Sequence, residues 1–399
     1  MTTHPPIASA AKGLKESRIR RLTVEAVRYR AANLAQAFPD YAPPQEFVDV
    51  LMTAAASNRH QYTDTWGAAE TRCAVSGYVH RFHPEVKPDP DRNVLITIGA
   101  MEAMNDALFV ALDPGDEAIV LEPFYECFVA QILSRHGVPL YVRLDEDGEG
   151  GFALDLNRLE AAFTARTRAV IVNTPSNPSG KVFSRAELEG ILDICRRHGA
   201  WLISDETYEQ IYFDGHRPAS VIDVDPDLVN SVVVSGFGKT FAVTGWRIGY
   251  LIANDEFMRH VRPAHDVNTI CAVSHVQEAL VSLTGSADSY FAAMRDEYDF
   301  RRQLLSDGLR RLGFGVNRVE GAYYIFAKVP QWWDGSGDAL NSRLIEGGFV
   351  AGVPGEVFYG PTEGDSFIRY TFCKQRSTLE LALSRLEAGL NVLRGAECR

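Results

Sequence analysis

The chain has no run of apolar residues approaching the roughly 18 needed to cross a bilayer, so a membrane-spanning helix is not expected. Its start, Met-Thr-Thr-His-Pro-Pro, lacks a basic stretch leading into an apolar one, the pattern of a secretory signal. Cysteine is sparse and scattered: Cys73, Cys127, Cys195, Cys271, Cys373 and Cys398 include no C-x-x-C pair and no regular spacing. That argues against a zinc site, against any other metal centre and against a disulfide framework, and it fits buried thiols in a reducing, cytoplasmic compartment. Basic charge is also short, with 40 Lys and Arg against 52 Asp and Glu and a net charge of −12. A nucleic-acid surface needs a basic stripe to neutralise phosphates, and none is present. Small-molecule chemistry is the reading left.

What remains is an ordinary globular composition, 46% hydrophobic and 10% aromatic, in 399 residues. That length suggests two domains at roughly 100 to 200 residues each. Short apolar runs alternate with helical patterns through the middle of the chain, which predicts βαβ units, a largely parallel sheet and an α/β fold. The candidate strands are residues 94–98, 118–121, 169–172, 201–204, 231–234 and 248–252. Gly99, Glu122, the segment 173–177, Asp205 and Lys239 all stand just beyond a strand, at the sheet edge where ligands bind in open α/β folds. From about 289 the rhythm changes to a charged helix over 289–312, strands at 323–327 and 367–372, and a last helix from 377. The expected division is an N-terminal arm over 1–45, a large domain over 46–288 and a small domain over 289–399.

The most informative stretch runs from Ser235 through Gly236, Phe237, Gly238 and Lys239 to Thr240, with Arg247 eight positions beyond the lysine. A lysine on a glycine-flanked turn at the end of a strand is an amine placed to form an imine. Gly238-Lys239-Thr240 also ends like a phosphate-binding P-loop, but the first glycine of that pattern would fall on Val233, inside a strand. Asp205, just past an apolar run, begins Asp-Glu-Thr-Tyr208, and is either the cap of the next segment or a buried anion. Asn173-Thr-Pro-Ser-Asn177-Pro-Ser-Gly180 is a turn-rich loop. Gly99 separates a strand from a helix whose free N–H groups suit an anion. Arg369 lies on an apolar strand pattern, where it needs an internal carboxylate or a ligand carboxylate to match its fork.

Taken together these segments resemble the class I/II pyridoxal-phosphate (PLP) aminotransferases, over nearly the whole span from Asn33 to Arg369. The resemblance is greatest to the subgroup acting on glutamine, methionine, kynurenine and aromatic amino acids, through Gln36-Ala-Phe-Pro-Asp40 and Phe237-Gly-Lys-Thr-Phe241. It implies a fold type I architecture, with a large domain whose mostly parallel sheet lies between helices and a small α+β domain that the arm joins. It implies PLP on Lys239 as a Schiff base, with Lys239, Asp205 and Tyr208 as the catalytic group. Asp205 pairs with the ring nitrogen, which makes the ring an electron sink, while Tyr208 and Asn177 reach the phenolic oxygen. Ala100, Met101 and Arg247 face the phosphate, and Tyr125 stacks on the ring. Arg369, Asn177 and Ala37 meet the substrate. Tyr62 reaches the phosphate of a neighbouring subunit, so a homodimer with shared sites is implied.

Two departures stand out. The family's Ser or Thr three residues before the lysine is Gly236 here, with Ser235 one place earlier, so Ser235 or water supplies that donor to the phosphate, or the phosphate is held with one donor fewer. The family's G-x-G near the substrate reads Ala35-Gln36-Ala37, which brings two methyl groups to a place of close backbone approach. The function expected is a ping-pong aminotransferase passing an amino group from an amino acid to a 2-oxo acid. The alternatives are a PLP-dependent lyase, cyclase or oxidase on the same scaffold, and a non-catalytic regulator, for which no DNA-binding module is visible.

Overall fold

The structure is a computed structural model, which describes residues 5, 7–360 and 364–397; Cys398 lies outside the described residues. Seven strands form the main sheet in the order Val94–Thr97, Gly249–Ile252, Ser231–Gly236, Trp201–Asp205, Thr167–Asn173, Glu117–Glu122, Val138–Arg143. Gly249–Ile252 runs antiparallel to both neighbours, and the other pairings are parallel. The reason is the short link after Gly236: it has no room for a crossover helix, so the chain turns back, and the turn carries Lys239.

The β-branched runs form central strands because both of their faces are covered. Alternate residues enter different apolar clusters. Ile119, Leu121, Val170 and Val172 meet Leu188, Ile191 and Cys195 of the helix Arg185–His198. Ala118, Val120, Ala169 and Ile171 share the opposite cluster with Met104 and Leu108 of the helix Ala100–Ala111 and Phe257 and Val261 of the helix Asp255–Thr269. The strand Val138–Arg143, absent from the sequence expectation, is the sheet's edge: it is mostly exposed and holds Pro139, so its pattern is neither alternating nor continuous.

A three-stranded antiparallel sheet follows, in the order Tyr324–Lys328, Phe367–Thr371, Val353–Pro354. Against it Tyr298, Leu305 and Leu309 of the helix Asp288–Arg311 pack with Leu379, Leu383 and Leu386 of the helix Arg376–Glu397. Ala32–Asn33 pairs in parallel with Val350–Ala351, and Lys374 Nζ donates to Phe38 O at 2.8 Å. The N-terminal arm is thereby joined to the C-terminal part of the chain.

Candidate active site

The registers Asn173↔Asp205 and Asp205↔Val234 bring three strand ends level, and beyond them opens a cavity of about 490 Å³. Lys239 stands on its wall, on the one-turn helix Phe237–Thr240 that follows the strand Ser231–Gly236. Its Nζ lies 5.9 Å from the Tyr208 ring centre and 5.6 Å from that of Tyr323. The cavity leaves the residue half-buried by surface, yet the amine sits deep in the protein. Burial pushes its ammonium down to about 8, against the Cys373 and Asp205 side chains, which favour the charge, and with Arg247 and Arg369, which oppose it. At pH 7 roughly a tenth is then free amine, the nucleophilic form, far more than for a lysine at the ordinary value of about 10.4.

Asp205 ends its strand with the carboxylate buried. Its Oδ1 accepts from Thr207 Oγ1 at 2.5 Å and Thr207 N at 3.1 Å, so it caps the following turn and lines the cavity as well. Burial raises its pKa, while the Thr207 hydrogen bonds and the Lys239 charge act the other way. The turn-rich loop is tied to the same place: Asn173 Nδ2 donates to Asp205 O at 3.0 Å, and Asn177 N to Asn173 Oδ1 at 2.7 Å. Tyr208 is buried, with its hydroxyl 2.7 Å from that of Tyr324.

One end of the cavity is built for an anion. Gly99, at φ 78°, turns the chain into the helix Ala100–Ala111, whose first residues Ala100 and Met101 line the cavity. Among the described residues Arg247 donates only to carbonyls, Nη1 to Thr244 O at 3.1 Å and Nη2 to Ile98 O at 3.2 Å. A Cβ on Gly99 would stand 2.8 Å from Arg247 Nη2, and one on Gly249 2.7 Å from Gly99 C, so glycine is what permits this close packing. At Gly236 an added Cβ would lie 3.3 Å from Ala100 N.

Arg369 occupies the middle of the strand Phe367–Thr371 and is 1% exposed. Nη1 donates to Asn177 Oδ1 and Nη2 to Ala35 O, both at 2.8 Å, while Nε is buried with no hydrogen-bond partner. The guanidinium lies 4.5 Å from the Tyr324 ring centre and 5.0 Å from that of Phe358. Among the described residues no carboxylate pairs with it, which removes the internal salt bridge considered from sequence.

Tyr125, Asn177, Tyr208 and Ala37 line the same cavity. Ser235 does not: its hydroxyl donates to Glu206 O at 3.2 Å and is fully buried. Tyr62 lies outside it and is 77% exposed. Sequence reasoning missed Tyr324, whose run of buried aromatics reads as a core strand, and Ser17, Ile19 and Arg20, which line the cavity from an arm without a readable motif. Away from the cavity, Glu102, Asp106 and His265 offer three potential metal-ligand atoms within 4.8 Å of one another, a cluster no sequence spacing announces.

With this geometry in place, comparison with known proteins is decisive for class. The family described as aminotransferase class I and II matches residues 30–386, and the chain belongs to it. It is 34% identical to a probable N-succinyldiaminopimelate aminotransferase of Mycobacterium tuberculosis, over 90% of this chain and 93% of the relative. It is 30% identical to human kynurenine–oxoglutarate transaminase 1, over 89% and 91%. Among solved structures, the M. tuberculosis N-succinyldiaminopimelate aminotransferase superposes with a TM-score of 0.92 at 32% identity, covering 96% of this chain and all of that one. An Escherichia coli protein with methionine aminotransferase function gives 0.90 at 29%, with the same coverage. The fold is that of the fold type I aminotransferases, and the protein is an enzyme of transamination, acting on an amino acid and a 2-oxo acid. The lyase, cyclase or oxidase alternative draws no support from these relatives.

Proposed function

We propose that the cavity holds pyridoxal 5′-phosphate and that Lys239 carries it as a Schiff base. The observation behind this reading is a charge imbalance. Lys239, Arg247 and Arg369 line one cavity, and among the described residues none has a carboxylate within ion-pair distance. Arg369 is buried and Lys239 half-buried, so their charges call for an anion from a ligand, and the exposed Arg247 adds a third cation to the same cavity. A phosphate and a substrate carboxylate are the two anions this chemistry brings.

Arg247, with the N–H groups of Ala100 and Met101 at a helix start, holds the phosphate. The Ser235 hydroxyl is turned to Glu206 O, and Gly236 has no side chain to donate, so water or the neighbouring N–H groups fill that side of the phosphate. Asp205 fixes the charge of the ring nitrogen, Tyr208 and Asn177 reach the phenolic oxygen, and Tyr125 covers the ring. When bound, the cofactor supplies the electron sink that stabilises charge at the substrate's α-carbon. Arg369 takes the substrate's α-carboxylate through its fork, held in plane by Asn177 and Ala35 and lying on Tyr324; Ala37 borders the substrate. Lys239, with its amine free, would be placed to take and return the proton at the substrate's α-carbon.

The proposed domain division is residues 46–288 and 289–399 with the arm 1–45 joined to the latter, and the pairing of Ala32–Asn33 with Val350–Ala351 supports the joining of the arm. A homodimer is supported by Tyr62, which is too exposed for a core aromatic. The cytoplasm is the proposed compartment, in keeping with the five free cysteines among the described residues.

The test is replacement of Lys239 by Ala. Turnover is expected to disappear, and borohydride is expected to fix the cofactor covalently to the parent but not to the variant. A panel of single amino acids, kynurenine, methionine and N-succinyldiaminopimelate among them, with and without 2-oxoglutarate, then reads the donor from the cofactor's visible absorbance. Retained turnover in Lys239→Ala would remove the assignment.

A further inference from the structure

The helix that opens the anion end carries an acid where an anion binder should avoid one. Glu102 is the third residue of Ala100–Ala111, directly behind Gly99 and Ala100. Its Oε2 accepts from Ile98 N, and the carbonyl of that same residue holds Arg247 Nη2 at 3.2 Å. The carboxylate therefore ties the strand end to the helix start and fixes Ile98, the residue whose carbonyl orients Arg247. The cost is a negative charge in the first turn of a phosphate-binding helix, where it weakens the field that attracts the anion.

That charge has a buried counter-charge. His265, on the neighbouring helix Asp255–Thr269, is fully buried, with Nδ1 3.0 Å from Glu102 Oε1 and 3.5 Å from Asp106 Oδ2. These contacts are ion pairs by distance and not aligned hydrogen bonds, and Nε2 has no hydrogen-bond partner. The rest of the surroundings serve the two acids: Thr269 Oγ1 donates to Glu102 Oε1, and Asn268 Nδ2 to Asp106 Oδ1 at 2.9 Å. From the third packed element the Arg135 guanidinium faces Asp106 and donates to Asn105 Oδ1 at 2.9 Å. Burial disfavours the imidazolium, but Asp106 and Glu102 outweigh it and push His265 up to about 9. The three atoms converge as metal ligands do, with the positive charge at their centre supplied by the imidazolium itself.

We propose that His265 is a positioning residue for the anion end of the active site: it neutralises Glu102, so that the carboxylate can clamp Ile98 without repelling the cofactor's phosphate. This rests on the reading that Ala100, Met101 and Arg247 hold phosphate. The histidine touches neither cofactor nor substrate. It acts through Glu102 and Ile98, whose N–H meets the carboxylate and whose carbonyl meets Arg247.

A double-mutant cycle on cofactor affinity tests it. The dissociation constant of pyridoxal 5′-phosphate is measured by titration of the apoprotein at pH 7.5 for the parent, His265→Asn, Glu102→Gln and the double variant, with apoprotein melting as a check of folding. His265→Asn is expected to weaken binding by about tenfold, the scale of one charge-assisted contact. In the Glu102→Gln background, where no carboxylate remains and the amide still accepts from Ile98 N, the same histidine replacement is expected to cost about twofold or less. An unchanged affinity in His265→Asn, or an equal weakening in both backgrounds, overturns the proposal. Should His265→Asn alone not fold, the double variant against Glu102→Gln still decides, since a tenfold weakening there contradicts charge compensation. A parent that binds no cofactor would instead remove the PLP reading itself, and inorganic phosphate as a competitor reports on the anion end separately.

Discussion

At the scale of single residues the site is a balance of charges that a ligand completes. Asp205 is the clearest case, because a carboxylate buried with only Thr207 as hydrogen-bond donor is raised in pKa, and a cationic ring nitrogen would reverse that shift. Asp205→Ala is expected to lower kcat by several powers of ten, and Asp205→Asn nearly as much, because an amide keeps the shape but not the charge. Steady-state rates with the cofactor saturating check this, and a near-normal rate in the Asn variant would leave Asp205 as a turn cap only. Lys239, Asp205, Arg247 and Arg369 were legible in sequence because each is a polar residue set at the end of, or within, an apolar run. Tyr324 was not: in Tyr323-Tyr-Ile-Phe it is one more buried aromatic, and only the 2.7 Å contact between its hydroxyl and that of Tyr208, with its ring against Arg369, gives it away. Ser235 was a fair candidate by its place in the chain, but a strand alternates its faces, and this hydroxyl points to Glu206 O.

At the scale of elements, short continuous apolar runs closed by Gly, Pro, Asn or Asp located every central strand to within two residues, because strands buried on both faces are apolar throughout. The edge strand Val138–Arg143 escaped, since exposure relaxes the pattern. The contact between the helices Ala100–Ala111 and Asp255–Thr269 escaped as well, because Glu102, Asp106 and His265 meet only through tertiary packing. That contact has a pH signature. His265 is raised from an ordinary 6.5 to about 9, so the stability it contributes is fully present below 6.5 and is lost as pH rises through about 9. Glu102 is shifted the other way: burial raises it, but the His265 contact and the hydrogen bonds from Thr269 and Ile98 prevail and lower it, so its share is lost only in acid. The apoprotein's Tm is expected to fall between pH 6.5 and 9, and His265→Asn to flatten that slope. Parallel pH profiles of parent and variant would show that His265 is not protonated in the fold.

At the scale of the whole molecule, the change of rhythm near residue 289 was visible in sequence and the resemblance implied that the arm joins the small domain, whereas its pairing with Val350–Ala351 was not legible, because a two-residue strand has no periodicity to read. The outer surface raises the last question. Tyr62, Val267, Ile270 and Val273 are 77%, 87%, 44% and 40% exposed, an apolar set for which a second copy of the chain is the proposed cover. If Tyr62 completes the phosphate site of a partner subunit, Tyr62→Ala and Lys239→Ala impair sites in different ways and can complement. In a mixed dimer one site receives both altered residues and the other receives neither. Mixing the two poorly active proteins and allowing exchange is therefore expected to restore activity, up to about half the sites of each heterodimer on a two-fold symmetric assembly. A core aromatic behaves otherwise, since damage within a folded chain is not repaired by its neighbour. Chain exchange is followed by mass spectrometry and folding by melting of each variant. No recovery with exchange complete and the Tyr62 variant folded would confine Tyr62 to its own subunit and leave each site to one chain.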